Sequence, residues 1–280
     1  MVIKKLRDFG FNTDNRTYII AEIGINHRGD IKIAKQLIDS AARSGVDAVK
    51  FQTYITEQRA PKGNNEVFKL LKDLELPFEA FKELRDYTKQ YDVDFFSTPF
   101  DKESVEYLES IGTDLYKIAS FDITNHSLLA EVAKTGKPVI ISVGMSNLDE
   151  IREAYRLLSK GTENIAILHC ISSYPTQEKD AKLSNLVKLQ KEFDCIIGQS
   201  DHTNDIKVPV YAAAAGAQIL EKHFKIDEEF ECVDASVSIT KFQMNELIKN
   251  VRELELIFGN EKFGIREVEK NTVPFRRISK

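Results

Sequence analysis

Cysteine is scarce in this 280-residue chain. There are three, Cys170, Cys195 and Cys232, and none stands in a C-x-x-C pair. They are too few and too scattered for a disulfide framework, and a reduced, cytoplasmic setting fits. Positive charge is not in excess either. The formal net charge is −5, so there is no basic footprint for nucleic acid and no polybasic patch for a membrane surface. No apolar run approaches the roughly 20 residues of a membrane span. The basic N-terminus, MVIKKLRDFG, lacks the apolar stretch of a secretory signal. A glycine-rich dinucleotide loop is missing too. GINHRGD (24–30) has two glycines at the wrong spacing for G-x-G-x-x-G. No internal repeat beyond a βα unit and no low-complexity tract is visible.

What is present is alternation. Short β-type runs at 17–26, 48–54, 94–100, 115–120, 138–144, 165–170, 196–202 and 218–224 are separated by amphipathic helical patterns. IKIAKQLIDSAARSG closes on Gly45 in a C-cap role, and NLDEIREAYRLLSKG opens on Asn147, placed to cap. Eight β-α units in series predict a closed parallel (β/α)8 TIM barrel, class α/β, over 18–260. The alternative is a doubly wound open sheet. Residues 1–17 read as a small N-terminal hairpin and 261–280 as a C-terminal tail. The segment Ile55–Leu76 exceeds a usual βα loop and reads as either a substrate lid or a mobile insertion.

Two apolar runs end on histidines about twenty residues apart: IIGQSDHT on His202 and AQILEKHF near His223. Neighbouring parallel strands lie roughly 4.8 Å apart, so imidazoles at matching ends can reach one ion. One such histidine alone reads as a hydrogen-bonded structural residue. Two at equivalent ends of successive strands read as metal ligands that leave coordination positions open for polarising a carbonyl.

Side-chain alternation sorts each run into an all-apolar face for the helix layer and a face that turns polar toward its C-terminal end. Asn26 and Tyr54 extend this inner face at the ends of the first two runs. The inward polar set is Glu22, Lys50, Gln52, Lys117, Ser142, Ser200, His202, Glu221 and His223, with Thr98 and Ser120 at strand ends nearby. A single buried lysine is equally well a salt-bridge partner. Two lysines with several hydroxyls on neighbouring strands suit a phosphorylated or carboxylated ligand.

These residues resemble the sialic acid synthase family, the phosphoenolpyruvate-condensing enzymes that make nonulosonic acids. AEIGINHRGD, DAVKFQTY, FFSTPFD, YKIAS, PVIISVGMS, LHCISSYPT, GQSDHT and GAQILEKHFKID stand in family order over nearly the whole chain. The resemblance implies a (β/α)8 barrel with His202 and His223 binding Mn2+ or Mg2+. Lys50, Thr98, Lys117, Ser120, Ser142 and Ser200 would hold phosphoenolpyruvate, and Ser172 falls where it too would touch phosphate. Glu22, Gln52, Tyr174 and Asp234 would contact an open-chain N-acylated amino sugar, N-acetylmannosamine or a 6-deoxy-diacetamido relative. For proton management Glu22 is the first candidate and Glu221 the second. A homodimer is expected.

Two departures from the family pattern stand out. Ala235 and Val237 follow Asp234 where the family has other residues, which bears on the identity of the sugar. The family usually continues into an antifreeze-like domain that lends an arginine across a dimer, whereas this sequence ends at Lys280. Sugar capture is therefore expected from the Ile55–Leu76 segment or from a separate antifreeze-like protein. Two rival readings are a related 3-deoxy sugar-acid synthase and a catalytically silent phosphoenolpyruvate-binding barrel. The first would want an extra arginine cluster for a substrate phosphate, and Arg59, Arg85 and Arg152 read as scattered and solvated.

Overall fold

A computed structural model describes residues 16–60, 63–259 and 263–277. Eight parallel strands close into a barrel in chain order: β1 (Tyr18–Gly24), β2 (Ala48–Thr53), β3 (Asp94–Pro99), β4 (Tyr116–Ile118), β5 (Val139–Ser142), β6 (Ile165–His169), β7 (Ile196–Asp201) and β8 (Ile219–His223). Register runs unbroken from Tyr18↔Ile219 to Glu22↔His223 between β1 and β8, which seals the cylinder. The helices are α1 (Ile31–Ala42), α2 (Thr56–Arg59), α3 (Asn65–Leu74), α4 (Phe78–Thr88), α5 (Lys102–Ser110), α6 (His126–Lys134), α7 (Leu148–Leu158), α8 (Ser184–Glu192), α9 (Lys207–Ala214) and α10 (Lys241–Phe258). The expected α/β class, (β/α)8 TIM barrel, is the observed fold. The hairpin expected over 1–17 falls on residues that, apart from Arg16 and Thr17, lie outside those described.

Local chemistry starts these helices. Asp30 caps α1 by accepting from the Lys32 amide, and Asn147 and Glu150 form a reciprocal capping box on α7. Gly45 adopts φ +86° two residues past the α1 C-cap, Arg43, where the chain turns back toward β2.

Two apolar layers set the polarity of the barrel. Outward residues such as Ile19, Val49, Ile118, Ile141 and Ile167 pack on helix residues including Leu37, Leu84, Leu128, Leu158 and Leu247. Inside, Tyr18, Ile20, Phe96, Ile140, Leu168 and Ile219 fill the N-terminal end. Close packing there needs Gly198, because a Cβ at that position would lie 2.4 Å from the Ile219 carbonyl oxygen and 2.7 Å from Leu168. With the lower barrel filled by hydrocarbon, inward polar side chains are confined to the C-terminal end, where a barrel of this kind presents its site.

The outward face is not apolar throughout, contrary to the alternation pattern. On β7 and β8, Asp201 and Lys222 point away from the lumen and form a buried ion pair at 2.7 Å. His169 on β6 likewise bonds the Ala181 carbonyl at 2.7 Å. Alternation also fails past strand ends. Tyr54 leaves the lumen, donates its hydroxyl to the Leu71 carbonyl and joins Ile25, Leu71 and Leu74 in a satellite cluster. Asn26 bonds the Phe224 carbonyl and the Ser238 hydroxyl instead of facing the cavity. The segment after Ile55 is no loop: it holds α2 and α3, the latter capped by Asn64.

Candidate active site

All fourteen side chains to which the family resemblance gives a role line one cavity at the C-terminal end of the barrel. Its floor is a ladder of charge. Lys50 Nζ lies 2.6 Å from Glu22 Oε2 and 3.6 Å from Glu221 Oε2, and donates to Thr98 at 3.1 Å. Lys117 Nζ donates to Ser142 at 2.6 Å and lies 3.6 Å from the other oxygen of Glu221. Glu221 therefore sits between two ammonium groups, and Ser200 donates to it at 2.8 Å.

These contacts decide protonation. Burial alone would push Lys50 down, but the carboxylates of Glu22 and Glu221 outweigh it and its pKa is raised. Burial wins at Lys117, which is lowered. Burial would raise Glu221, yet Lys117 and Lys50 hold it below the usual carboxylate range. The floor thus presents lysine nitrogens and hydroxyls together, the donor set that phosphate and carboxylate oxygens take.

Beside the floor, Ser120 accepts from the Gly144 amide at 2.9 Å and lies 3.0 Å from Cys170 Sγ. A Cβ on Gly144 would meet Ser172 Oγ at 2.4 Å and Cys170 Sγ at 2.8 Å. The missing side chain leaves a cradle of amide and hydroxyl groups.

The imidazoles stand at the ends of β7 and β8, their ring centroids 5.5 Å apart. His202 Nδ1 is 2.7 Å from the Ile171 carbonyl, which requires the proton on Nδ1 and leaves a lone pair on Nε2. Tyr174 OH meets that nitrogen at 3.0 Å and its ring stacks on the imidazole at 4.2 Å. Burial, helped by His223, lowers the His202 pKa to about 4, so this ring is neutral at physiological pH. His223 Nδ1 lies 3.3 Å from Asp234 Oδ2; burial alone would push this ring down, but the Asp234 carboxylate outweighs it and its pKa is raised.

A neutral His202 nitrogen lone pair beside a second imidazole whose Nδ1 faces the Asp234 carboxylate, leaving its Nε2 to ligate, is a donor set that fits a divalent cation. Among the described residues no group of three or more His, Cys, Asp or Glu is arranged to hold an ion. The fit is therefore to an open site with two protein nitrogens, the remaining positions left for substrate and water.

Supporting contacts aim these groups. Asp201 Oδ2 accepts the Thr203 hydroxyl at 2.6 Å and its amide at 3.2 Å, while Lys222 Nζ also reaches the Thr203 carbonyl. His202, between Asp201 and Thr203, is thereby turned into the cavity. Asn26 Oδ1 accepts the Asp234 amide at 3.1 Å, tying the loop after β8 to the end of β1.

Sequence reasoning missed Arg59. Expected to be solvated, it lines the cavity instead. Helix α2 folds back over β2, and the guanidinium donates to Gln52 Oε1 at 2.8 Å. The signal available was its place five residues past Tyr54, whose ring the guanidinium covers at 4.4 Å. Arg85 and Arg152 do lie away from the site, bonded to the Gly112 carbonyl and to Glu192. Cys170, Phe100 and Phe121, also unforeseen, line it too.

A model described as the NeuB family matches residues 37–263. The N,N'-diacetyllegionaminic acid synthase of Campylobacter jejuni is 37% identical over 272 residues, covering 91% of this chain and 80% of that one. An uncharacterised protein of Methanocaldococcus jannaschii is 42% identical over 273 residues, covering 94% and 81%. Among solved structures, the N-acetylneuraminic acid (sialic acid) synthetase of Leptospira borgpetersenii superposes with a TM-score of 0.90 at 36% identity, covering 94% of this chain and 92% of that one.

Proposed function

The chain belongs to the NeuB family, and on that premise we propose that it condenses phosphoenolpyruvate with the open-chain form of an N-acylated amino sugar. The products are a nonulosonic acid and inorganic phosphate. The observation that carries this reading is the division of one cavity into a lysine-and-hydroxyl floor and an imidazole wall. An anionic donor and a carbonyl acceptor would be held side by side. The names of the relatives from C. jejuni and L. borgpetersenii support the product class.

Lys50, Lys117, Thr98 and Ser142 would grip the donor's phosphate and carboxylate, with Ser120, Ser172 and Ser200 completing its cradle. The acceptor would lie against Gln52, Tyr174 and Asp234. A divalent cation, manganese or magnesium, held by His202 and His223 would polarise the acceptor's aldehyde oxygen. The enol carbon of phosphoenolpyruvate then attacks the aldehyde carbon and positive charge develops at the carbon bearing the phosphate. Water adds there, and phosphate leaves with its bridging oxygen as that C–O bond breaks. Holding both reactants in line is worth roughly 7–11 kcal/mol of barrier in favourable cases.

Glu22 is the better placed of the two carboxylates to move a proton. It touches Lys50 on the donor side and accepts from Gln52 at 2.9 Å on the acceptor side. Glu221, clamped between two lysines and held ionised, serves as their counter-ion. The test is phosphate release from phosphoenolpyruvate against a panel of N-acylated hexosamines. Release that depends on one of these acceptors is expected. Tight donor binding without turnover across the whole panel would favour a silent binding barrel.

A further inference from the structure

Arg59 carries chemistry that the condensation scheme leaves unused. Its guanidinium packs in the corner of two nearly perpendicular rings, 3.8 Å from the centroid of Phe100 and 4.4 Å from that of Tyr54. One nitrogen, Nη2, is committed to Gln52 Oε1 at 2.8 Å. The Gln52 amide cannot flip, because its nitrogen donates in turn to Glu22 at 2.9 Å. The other terminal nitrogen, Nη1, is buried and among the described residues has no hydrogen-bond partner. A buried guanidinium N–H without an acceptor forfeits the hydration it had in water and recovers it only when an acceptor arrives. Held in the corner of the two rings and bonded at one end, this donor is fixed in direction before any ligand enters.

The surroundings define what arrives. The carboxylates of Asp122, Asp234 and Glu22 lie close enough to act on the guanidinium. Burial outweighs these carboxylates and lowers the guanidinium's pKa, yet an incoming phosphate or carboxylate would still meet them as like charges. A neutral oxygen meets no such repulsion. Ile25, Phe100 and Phe121 line the same cavity, and they offer apolar contact beside the polar donor. A carbonyl oxygen next to a small alkyl group, as in an acetamido substituent, matches both features.

We infer that Arg59 is a specificity-determining residue of the acceptor site, donating from Nη1 to the carbonyl oxygen of the sugar's N-acyl group and favouring acceptors without a phosphate of their own. The inference rests on the proposed condensation. It places acceptor recognition on α2, within the segment read from sequence as either a lid or a mobile insertion.

The test is steady-state kinetics of the intact chain, Arg59→Met and Arg59→Lys, with each substrate varied separately. The acceptors are an N-acetylated hexosamine, its 6-phosphate and the analogue lacking the acyl group. Loss of one hydrogen bond from a charged donor should raise the acetylated acceptor's KM roughly tenfold to hundredfold in Arg59→Met. The phosphoenolpyruvate KM should stay within about twofold, which also reports an intact fold. Arg59→Lys should recover little, since an ammonium cannot hold Gln52 and reach a second acceptor in the same fork. With the de-acylated acceptor Arg59→Met should lose clearly less than with the acetylated one, the residual loss reporting only the freed Gln52 amide.

An unchanged acceptor KM in Arg59→Met, or an equal loss with and without the acyl group, overturns the role of Arg59 while leaving the condensation standing. A preference of the intact chain for the 6-phosphate overturns the charge argument. No turnover by the intact chain with any of these acceptors overturns the condensation and this inference together.

Discussion

Replacing Lys222 by methionine should destabilise the barrel more than any surface change, although the residue never touches substrate. Its side chain is 0% exposed and that of Asp201 3% exposed, with Nζ 2.7 Å from Oδ2. Methionine keeps most of the volume but leaves the Asp201 carboxylate buried with only the Thr203 hydroxyl and amide and the Gln199 amide as donors. Stranding one partner of a buried ion pair costs about 3–5 kcal/mol. For a chain of this size that corresponds to a fall in Tm of roughly 6–20 °C. The companion double variant, Asp201→Asn with Lys222→Met, removes both charges and should recover stability to within about 1 kcal/mol of the parent. Differential scanning calorimetry of the parent, the single and the double variant decides it. If Lys222→Met loses less than about 1 kcal/mol, or if the double variant melts no higher than the single, the pair does not carry the stability assigned to it.

Other consequences can be measured in parallel. Gly144→Ala pushes a Cβ to 2.4 Å from Ser172 Oγ, so phosphoenolpyruvate affinity by calorimetry should fall roughly tenfold from overpacking of 1–3 kcal/mol; unchanged affinity would place the donor elsewhere. Lys117→Ala removes an ammonium bonded to Ser142 and should weaken donor binding by roughly tenfold to hundredfold, while equal affinity in the variant would contradict the floor assignment. Manganese titrated into the purified chain should lose its free-ion electron paramagnetic resonance signal, and His202→Ala with His223→Ala should restore it; retention of the ion by that double variant would move the metal. Burial lowers the His27 pKa from its ordinary 6.5 to about 4, so between these values the unfolded chain binds the extra proton. Stability is then fully present above pH 6.5 and declines as pH falls, by about 2 kcal/mol at pH 5; a His27→Asn variant with an equally steep loss would rule this ring out as the cause.

The barrel was legible because each strand is a short apolar run buried on both faces, and the observed strand ends lie within a few residues of the sequence limits. The site was legible for a related reason. Once the lower lumen is hydrocarbon, charged residues of inward parity have one place to go, and Lys50, Lys117 and Glu221 went there together. Parity carried no information beyond the last ladder bond, so Tyr54 and Asn26 were misdirected by local turns. Nor could it show that Lys222 and Asp201, outward on adjacent strands, satisfy each other. Arg59 was missed because its position depends on a four-residue helix doubling back onto Phe100. That arrangement joins parts of the chain about forty residues apart and leaves no periodic trace.

The central claim is that this cavity joins the enol carbon of phosphoenolpyruvate to an aldehyde and releases phosphate with its bridging oxygen. Turnover of phosphoenolpyruvate carrying oxygen-18 at that position, with an N-acylated hexosamine, tests it most directly. The account predicts one condensed nine-carbon acid per phosphate formed, with the label in the phosphate and none released when acceptor is withheld. Label retained in the organic product, or phosphate formed at the same rate without acceptor, would contradict it.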